Sequence, residues 1–146
     1  MVTALVLAAS AAISIDAATC ESLQSLSLPD TTIVSAALVP AGPFSLPNAA
    51  PNAKPIQVPV EMCRVAGVVK PQVNFEVWMP ASNWNGKFQG VGGGGFAGVI
   101  SYGAMVTALG RGYATASTDT GHNTPGGSWA LNRPDLILDY AYRGIH

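Results

Sequence analysis

Charge is scarce in this sequence: 7 Lys and Arg and 8 Asp and Glu make up 10% of its 146 residues, against about 25% in an ordinary globular chain. No two basic residues are adjacent and the net charge is -1, which leaves no electrostatic handle for nucleic acid or an anionic membrane. Histidine occurs only as His122 and His146, and cysteine only as Cys20 and Cys63. These are too few and too scattered for a metal site. The longest apolar run, Val2 to Ile15, falls short of the roughly 20 residues that a transmembrane helix needs. Apolar surface, by contrast, is plentiful. Hydrophobic residues reach 49%, which excludes intrinsic disorder, and the length allows one domain.

The run from Val2 to Ile15 is uncharged and of the length of a secretory h-region, so a signal peptide is expected over residues 1–18, with Ala12 or Ala17 before the cleavage site. Its alternative is a buried first helix. The remaining residues, 19–146, are expected to form one α/β unit. In an exported chain Cys20 and Cys63 read as a single disulfide closing a loop of about 40 residues; the other reading of the pair is two buried free thiols.

A short helix is predicted over Cys20 to Leu28 and a strand over Thr31 to Val39. Pro40, Pro43, Pro47, Pro51, Pro55 and Pro59 then mark a surface loop with at most an edge strand at Gln57 to Val60. Further strands are expected at Arg64 to Val69, Asn74 to Met79 and Lys87 to Val91. The alternation from Val73 onward predicts Val73, Phe75 and Val77 facing inward. Asn85-Gly86 predicts a tight reversal. A helix over Ser101 to Arg111 closed by Gly112, a strand at Tyr113 to Thr118, and a helix from Pro134 burying Leu136, Leu138, Tyr142 and Ile145 complete the pattern. That last helix still runs at His146, the pattern expected of a truncated chain.

The densest local signal is Gly90-Val91-Gly92-Gly93-Gly94-Gly95-Phe96-Ala97-Gly98, directly after a predicted strand. Such a run is retained where the backbone takes unusual dihedrals or approaches another group closely. Two chemistries use this junction, besides a bare conformational hinge. Gly90-x-Gly92-x-x-Gly95 and Gly93-x-Gly95-x-x-Gly98 both match a dinucleotide fingerprint, with Asp119 ending the next strand. Against it, Lys87-Phe88-Gln89 is polar for a central parallel strand. The second reading is the oxyanion loop of an α/β-hydrolase, whose peptide N–H groups meet the charge developing in acyl transfer.

Asn74-Phe75-Glu76-Val77-Trp78-Met79-Pro80, Trp84-Asn85-Gly86-Lys87-Phe88, the glycine loop, Ala116-Ser117-Thr118-Asp119-Thr120-Gly121-His122 and Asp139-Tyr140-Ala141-Tyr142-Arg143-Gly144-Ile145-His146 together resemble the N-terminal part of the tannase and feruloyl esterase family. The resemblance covers roughly residues 20 to 146 and implies an α/β-hydrolase fold, secretion, and serine-dependent cleavage of esters of aromatic acids, small or attached to plant cell wall. It implies an oxyanion donor at the N–H of Gly94 or Gly95, and Cys20 and Cys63 as the family's early disulfide. The family's nucleophile elbow, later aspartate and histidine, and inserted lid with a calcium site match nothing in this chain. No cofactor is therefore expected here and the chain alone is predicted inactive.

Gly126-Gly127-Ser128-Trp129-Ala130 lacks the second glycine of a nucleophile elbow. His122 is expected to be a hydrogen-bonded loop residue and Asp119 a turn anchor. Trp78 is assigned to the core, and Trp129 to a partly exposed substrate contact. The rival class is a secreted, non-catalytic glycan-binding module using its tryptophans.

Overall fold

The computed structural model describes residues 14–47, 49–124 and 126–145. Most of the expected leader, and His146, lie outside them. The first helix, α1 (Ala17–Ser22), is capped by Asp16, whose carboxylate accepts from the Thr19 N–H at 2.7 Å. This places its start ahead of the Cys20 expected from sequence, because the cap fixes where the first turn begins. A 3-10 turn, Leu23–Ser25, follows.

The strands are β1 (Thr31–Val39), β2 (Gly42–Phe44), β3 (Ile56–Val58), β4 (Met62–Val69), β5 (Val73–Pro80), β6 (Phe88–Gly90) and β7 (Ala114–Thr118). Five of them form one sheet in the order β1-β4-β5-β7-β6, and β2 with β3 makes a separate antiparallel pair. Neighbours are antiparallel except β6 and β7, which run parallel, Phe88 opposite Ala114 and Gly90 opposite Ala116. A parallel pair needs a crossover, supplied by α2 (Tyr102–Gly110). Gly112, at a φ of +78°, ends that helix as predicted, its N–H bonded to the Leu109 carbonyl at 2.9 Å.

Both faces of the sheet are covered. On one, Met105 and Leu109 of α2 pack with Val58, Met62 and Trp78, with Phe44 and Ile56 of the β2–β3 pair against them. On the other, Cys20 packs with Ala36, Cys63 and Val65, flanked by Ile15, Leu23 and Val77. The double covering overturns the simple alternation expected of β5. Val73 is buried, but so are Glu76 and Trp78 on the opposite face, while Phe75 and Val77 are only partly buried.

A Cys20–Cys63 disulfide, 43 residues apart in sequence, pins α1 to β4. Closing a loop of that size is worth about 4 kcal/mol through the unfolded state. The chain ends in α3 (Pro134–Leu138) continued by a π turn, Asp139–Arg143. The extra residue of the π turn shifts the register, so the inward positions are Leu136, Asp139 and Gly144. Leu138, Tyr142 and Ile145, expected inside, are 48%, 56% and 80% exposed.

Candidate active site

β6 and β7 run parallel, so their carboxyl ends lie together, the position where open α/β sheets bind ligands. The glycine loop leaves β6 there, and Ser117-Thr118-Asp119-Thr120-Gly121-His122 leaves β7. A cavity of about 650 Å³ lies between these loops and the C-terminal turn, bordered by Val91, Gly92, Gly95, Ala116, Thr118 and Tyr140.

The loop is held at both ends. At its start the Val91 N–H bonds the Ala116 carbonyl at 2.9 Å, and at its end the Ser101 N–H bonds Ser117 Oγ at 3.0 Å. Among the described residues none of the amides of Gly92 to Gly95 donates a hydrogen bond. Gly92 to Gly95 are exposed, so water or a ligand oxygen can accept from these N–H groups. Gly95, at a φ of +54°, lies on the cavity wall; Gly94 does not. Gly98 sits against His122: at its φ of +59° a β-carbon would stand 2.5 Å from His122 Cδ2 and 2.6 Å from the His122 carbonyl oxygen.

The β7 loop is built from short side-chain bonds. Asp119 Oδ1 accepts from the amides of Asn74 and Gly121, both at 2.9 Å, and Oδ2 accepts from Asn74 Nδ2 at 2.6 Å. That makes Asp119 the turn anchor expected from sequence. His122 is buried; Nδ1 meets Thr120 Oγ1 at 3.2 Å, and Nε2 has no partner among the described residues. Its ring stacks on Trp129, 4.1 Å apart with 18° between planes. Phe96 and Tyr140 close the cluster, each with its centroid 5.4 Å from a ring beside it, Phe96 to Tyr140 and Tyr140 to Trp129. Trp129 therefore packs on His122 and is not on the cavity wall. Trp78 is buried and bonds Glu76, Trp84 bonds the Lys87 carbonyl, and no two tryptophan rings touch among the described residues, so the three tryptophans form no joint surface.

Beneath the far end of the loop is a buried polar network that the sequence did not reveal. Glu76 accepts Arg64 Nε at 2.8 Å and Trp78 Nε1 at 2.7 Å on one oxygen, and Arg64 Nη2 at 2.5 Å and the Tyr102 hydroxyl at 2.9 Å on the other. Burial, followed by the negative charge of Glu76, pushes the Tyr102 hydroxyl well above its ordinary value of 10. Tyr102 opens α2, so the network fixes the helix into which the glycine loop runs. Trp84-Asn85-Gly86-Lys87-Phe88 acts at the other end of α2: Asn85 N–H and Nδ2 bond the carbonyls of Gly112 and Arg111 at 3.0 and 2.9 Å.

The dinucleotide reading fails on this geometry. A fingerprint loop opens a helix directly so that phosphate meets the helix N-terminus, whereas α2 begins at Tyr102, beyond Gly98, and β6 is an exposed edge strand. The residues instead supply loop amides beside an open cavity, without a nucleophile. No serine is bonded to His122 among the described residues, and Ser117 Oγ is occupied by the Ser101 amide. Nor does any group of three or more His, Cys, Asp or Glu among them stand close enough to hold a metal ion.

A mixed sheet with helices on both faces and a glycine loop at the carboxyl end of a parallel strand is an α/β fold of the hydrolase type, represented here by its first strands. The family model for tannase and feruloyl esterase matches residues 56–146, and the chain belongs to that family. It is 44% identical to an "Uncharacterized esterase" of Xanthomonas campestris pv. campestris over 134 residues, covering 88% of this chain and 23% of that protein. It is 42% identical over 91 residues to a "Probable feruloyl esterase B-1" of Neosartorya fischeri, 60% of this chain and 17% of that one. The crystal structure of feruloyl esterase B from Aspergillus oryzae superposes with a TM-score of 0.79 at 31% identity, over 88% of this chain and 27% of that one. The chain thus spans about a quarter or less of the curated relatives' length.

Proposed function

We propose that this chain supplies the N-terminal sheet and oxyanion loop of a serine esterase that cleaves esters of aromatic acids such as ferulate or gallate. The observation that carries the reading is the glycine loop at the carboxyl end of β6, whose Gly92, Gly93 and Gly95 line the cavity with amides that donate no hydrogen bond among the described residues. In the reaction a serine Oγ from outside these residues adds to the ester carbonyl carbon as its proton passes to the catalytic base, and the carbonyl π pair moves onto oxygen. The Gly95 N–H donates to that oxyanion. Collapse expels the alcohol with a proton from the catalytic base, and water then releases the acid from the acyl-serine. One such donor is worth roughly 3 to 4 kcal/mol in the transition state.

The same proposal makes the protein an exported one, supported by the disulfide between buried Cys20 and Cys63. Among the described residues no helix is long and apolar enough to cross a membrane. Ile15 donates its N–H to the Ala81 carbonyl at 2.7 Å and Asp16 caps α1. Cleavage after Ala12 keeps both, whereas cleavage after Ala17 removes both.

The test is to express the complete gene product and assay methyl ferulate and methyl gallate for release of the free acid, with a fluorophosphonate as probe for a reactive serine. Ester cleavage with fluorophosphonate labelling supports the reading. A product that cleaves neither ester and takes no label overturns it. The 146-residue chain by itself is expected to give no turnover.

A further inference from the structure

Among the described residues the glycine loop makes one hydrogen bond to the rest of the molecule between its ends. The Tyr140 hydroxyl donates to the Gly95 carbonyl at 3.0 Å, across 45 residues of sequence. We infer that Tyr140 is a positioning residue for the oxyanion loop, its bond to the Gly95 carbonyl fixing the backbone at Gly95 and with it the placement of the Gly95 amide beside the cavity; this rests on the proposed role of the loop.

Gly95 has a φ of +54° and open space where a β-carbon would be. Glycine crosses from positive to negative φ at little cost, so the residue type alone does not fix the backbone here. A hydrogen bond to its carbonyl oxygen restricts ψ at Gly95, which together with φ sets the direction of the amides on both sides of the residue. The N–H in the same peptide unit as that carbonyl belongs to Phe96, so the bond acts on the Gly95 donor through the backbone dihedrals and not by polarising it.

Tyr140 is itself well fixed. Its ring lies 5.4 Å from Phe96, 5.4 Å from Trp129 and 5.7 Å from His122. It belongs to the π turn, whose Asp139 carbonyl accepts the Gly144 N–H at 2.7 Å, and whose Asp139 carboxylate pairs with Arg143. The Gly144 carbonyl in turn accepts Thr118 Oγ1 of β7 at 2.9 Å. The π turn thus carries the register of β7 to the middle of the glycine loop. A donor aimed at the oxyanion acts on transition-state charge, so its misplacement is read in kcat and not in ground-state binding.

The experiment is Tyr140→Phe in the complete gene product, which keeps the ring and removes the hydroxyl. Kinetics on methyl ferulate are combined with inhibition by phenylboronic acid, which adds to a serine as a tetrahedral adduct, and by benzoic acid, which does not. The variant is expected to lose about tenfold in kcat with KM held within about twofold, and to bind phenylboronic acid about tenfold more weakly with benzoic acid unchanged. The proposal is overturned if kcat and boronate affinity stay within about twofold of wild type, or if KM, benzoic acid binding and melting temperature move together with kcat, the pattern of a merely structural role. If the wild type binds phenylboronic acid no more tightly than benzoic acid, the oxyanion reading itself fails and takes the Tyr140 proposal with it.

Discussion

Replacing Glu76 by Gln tests the buried network under α2 with almost no change in shape. Each carboxylate oxygen accepts two donors: Arg64 Nε and Trp78 Nε1 on one, Arg64 Nη2 and the Tyr102 hydroxyl on the other. An amide turns one of those oxygens into a donor. Facing Arg64 Nε and the indole, the new NH2 would meet two groups that cannot accept, so the amide takes the opposite orientation, where the Tyr102 hydroxyl rotates to accept. One guanidinium bond is still lost, and the Arg64 charge stays only 12% exposed in its side chain with no anion beside it. Breaking a buried pair this way costs about 3 kcal/mol. For a chain of this size that lowers the melting temperature by roughly 9 °C. Urea unfolding followed by tryptophan fluorescence is a direct assay, since the Trp78 indole is a member of the network. A loss below about 1 kcal/mol would refute the claim that the four bonds form one cooperative, desolvated unit.

Removing the disulfide with Cys20→Ser and Cys63→Ser should lower unfolding free energy by about 4 kcal/mol, read from denaturant midpoints under oxidising conditions; an unchanged midpoint would show that α1 is held by packing alone. Gly98→Ala forces a β-carbon onto buried His122 at a φ of +59°, with an expected loss of about 3 kcal/mol and a shifted His122 ring signal by NMR; a wild-type spectrum and stability would contradict the close approach. Tyr102 is kept neutral in the folded chain by burial and by Glu76, so its contribution is complete below its unfolded value of about 10 and declines as pH rises beyond it. Stability measured from pH 8 to 11.5 should therefore fall above about 10, and Tyr102→Phe should flatten that fall; an equal slope in both would exclude the assignment. N-terminal sequencing of the exported protein should find Ile15 and Asp16 retained, and a mature chain starting at Ala18 would show that the Ile15–Ala81 bond and the Asp16 cap are dispensable.

Elements whose pattern is local were legible in the sequence. The strand expected over Thr31 to Val39 is β1 residue for residue, because β-branched residues between two prolines leave little else. The helix ahead of Gly112 is likewise within a residue of its predicted ends. Where a second layer packs on the chain, local pattern misled. Glu76 reads as a solvent-facing residue of an alternating strand, and it is buried because Arg64, Trp78 and Tyr102 arrive from 12, 2 and 26 residues away to satisfy it. The short β2 was hidden for a related reason: Pro43 argues against a strand, yet an edge pair of three residues needs few of its N–H groups.

The candidate site divides along the same line. A run of glycines announces itself in sequence because no packing role explains it, and Asp119 is recognisable as a turn anchor from the residues around it. Tyr140 had no such signal: its partner is a backbone carbonyl 45 residues away, and its direction depends on a π turn that helical periodicity does not anticipate. An ordinary α-helix through Asp139 would have turned the inward stripe toward Leu138 and Tyr142, the positions expected from sequence. The inserted residue instead directs Asp139 inward and leaves Tyr140 free to reach the loop. A π turn is costly to keep, and here it is fastened by the Arg143 ion pair and by Thr118 through Gly144. What the turn brings to the loop is the Tyr140 hydroxyl at the Gly95 carbonyl, which is why the hydroxyl, and not the ring, is the group to remove first.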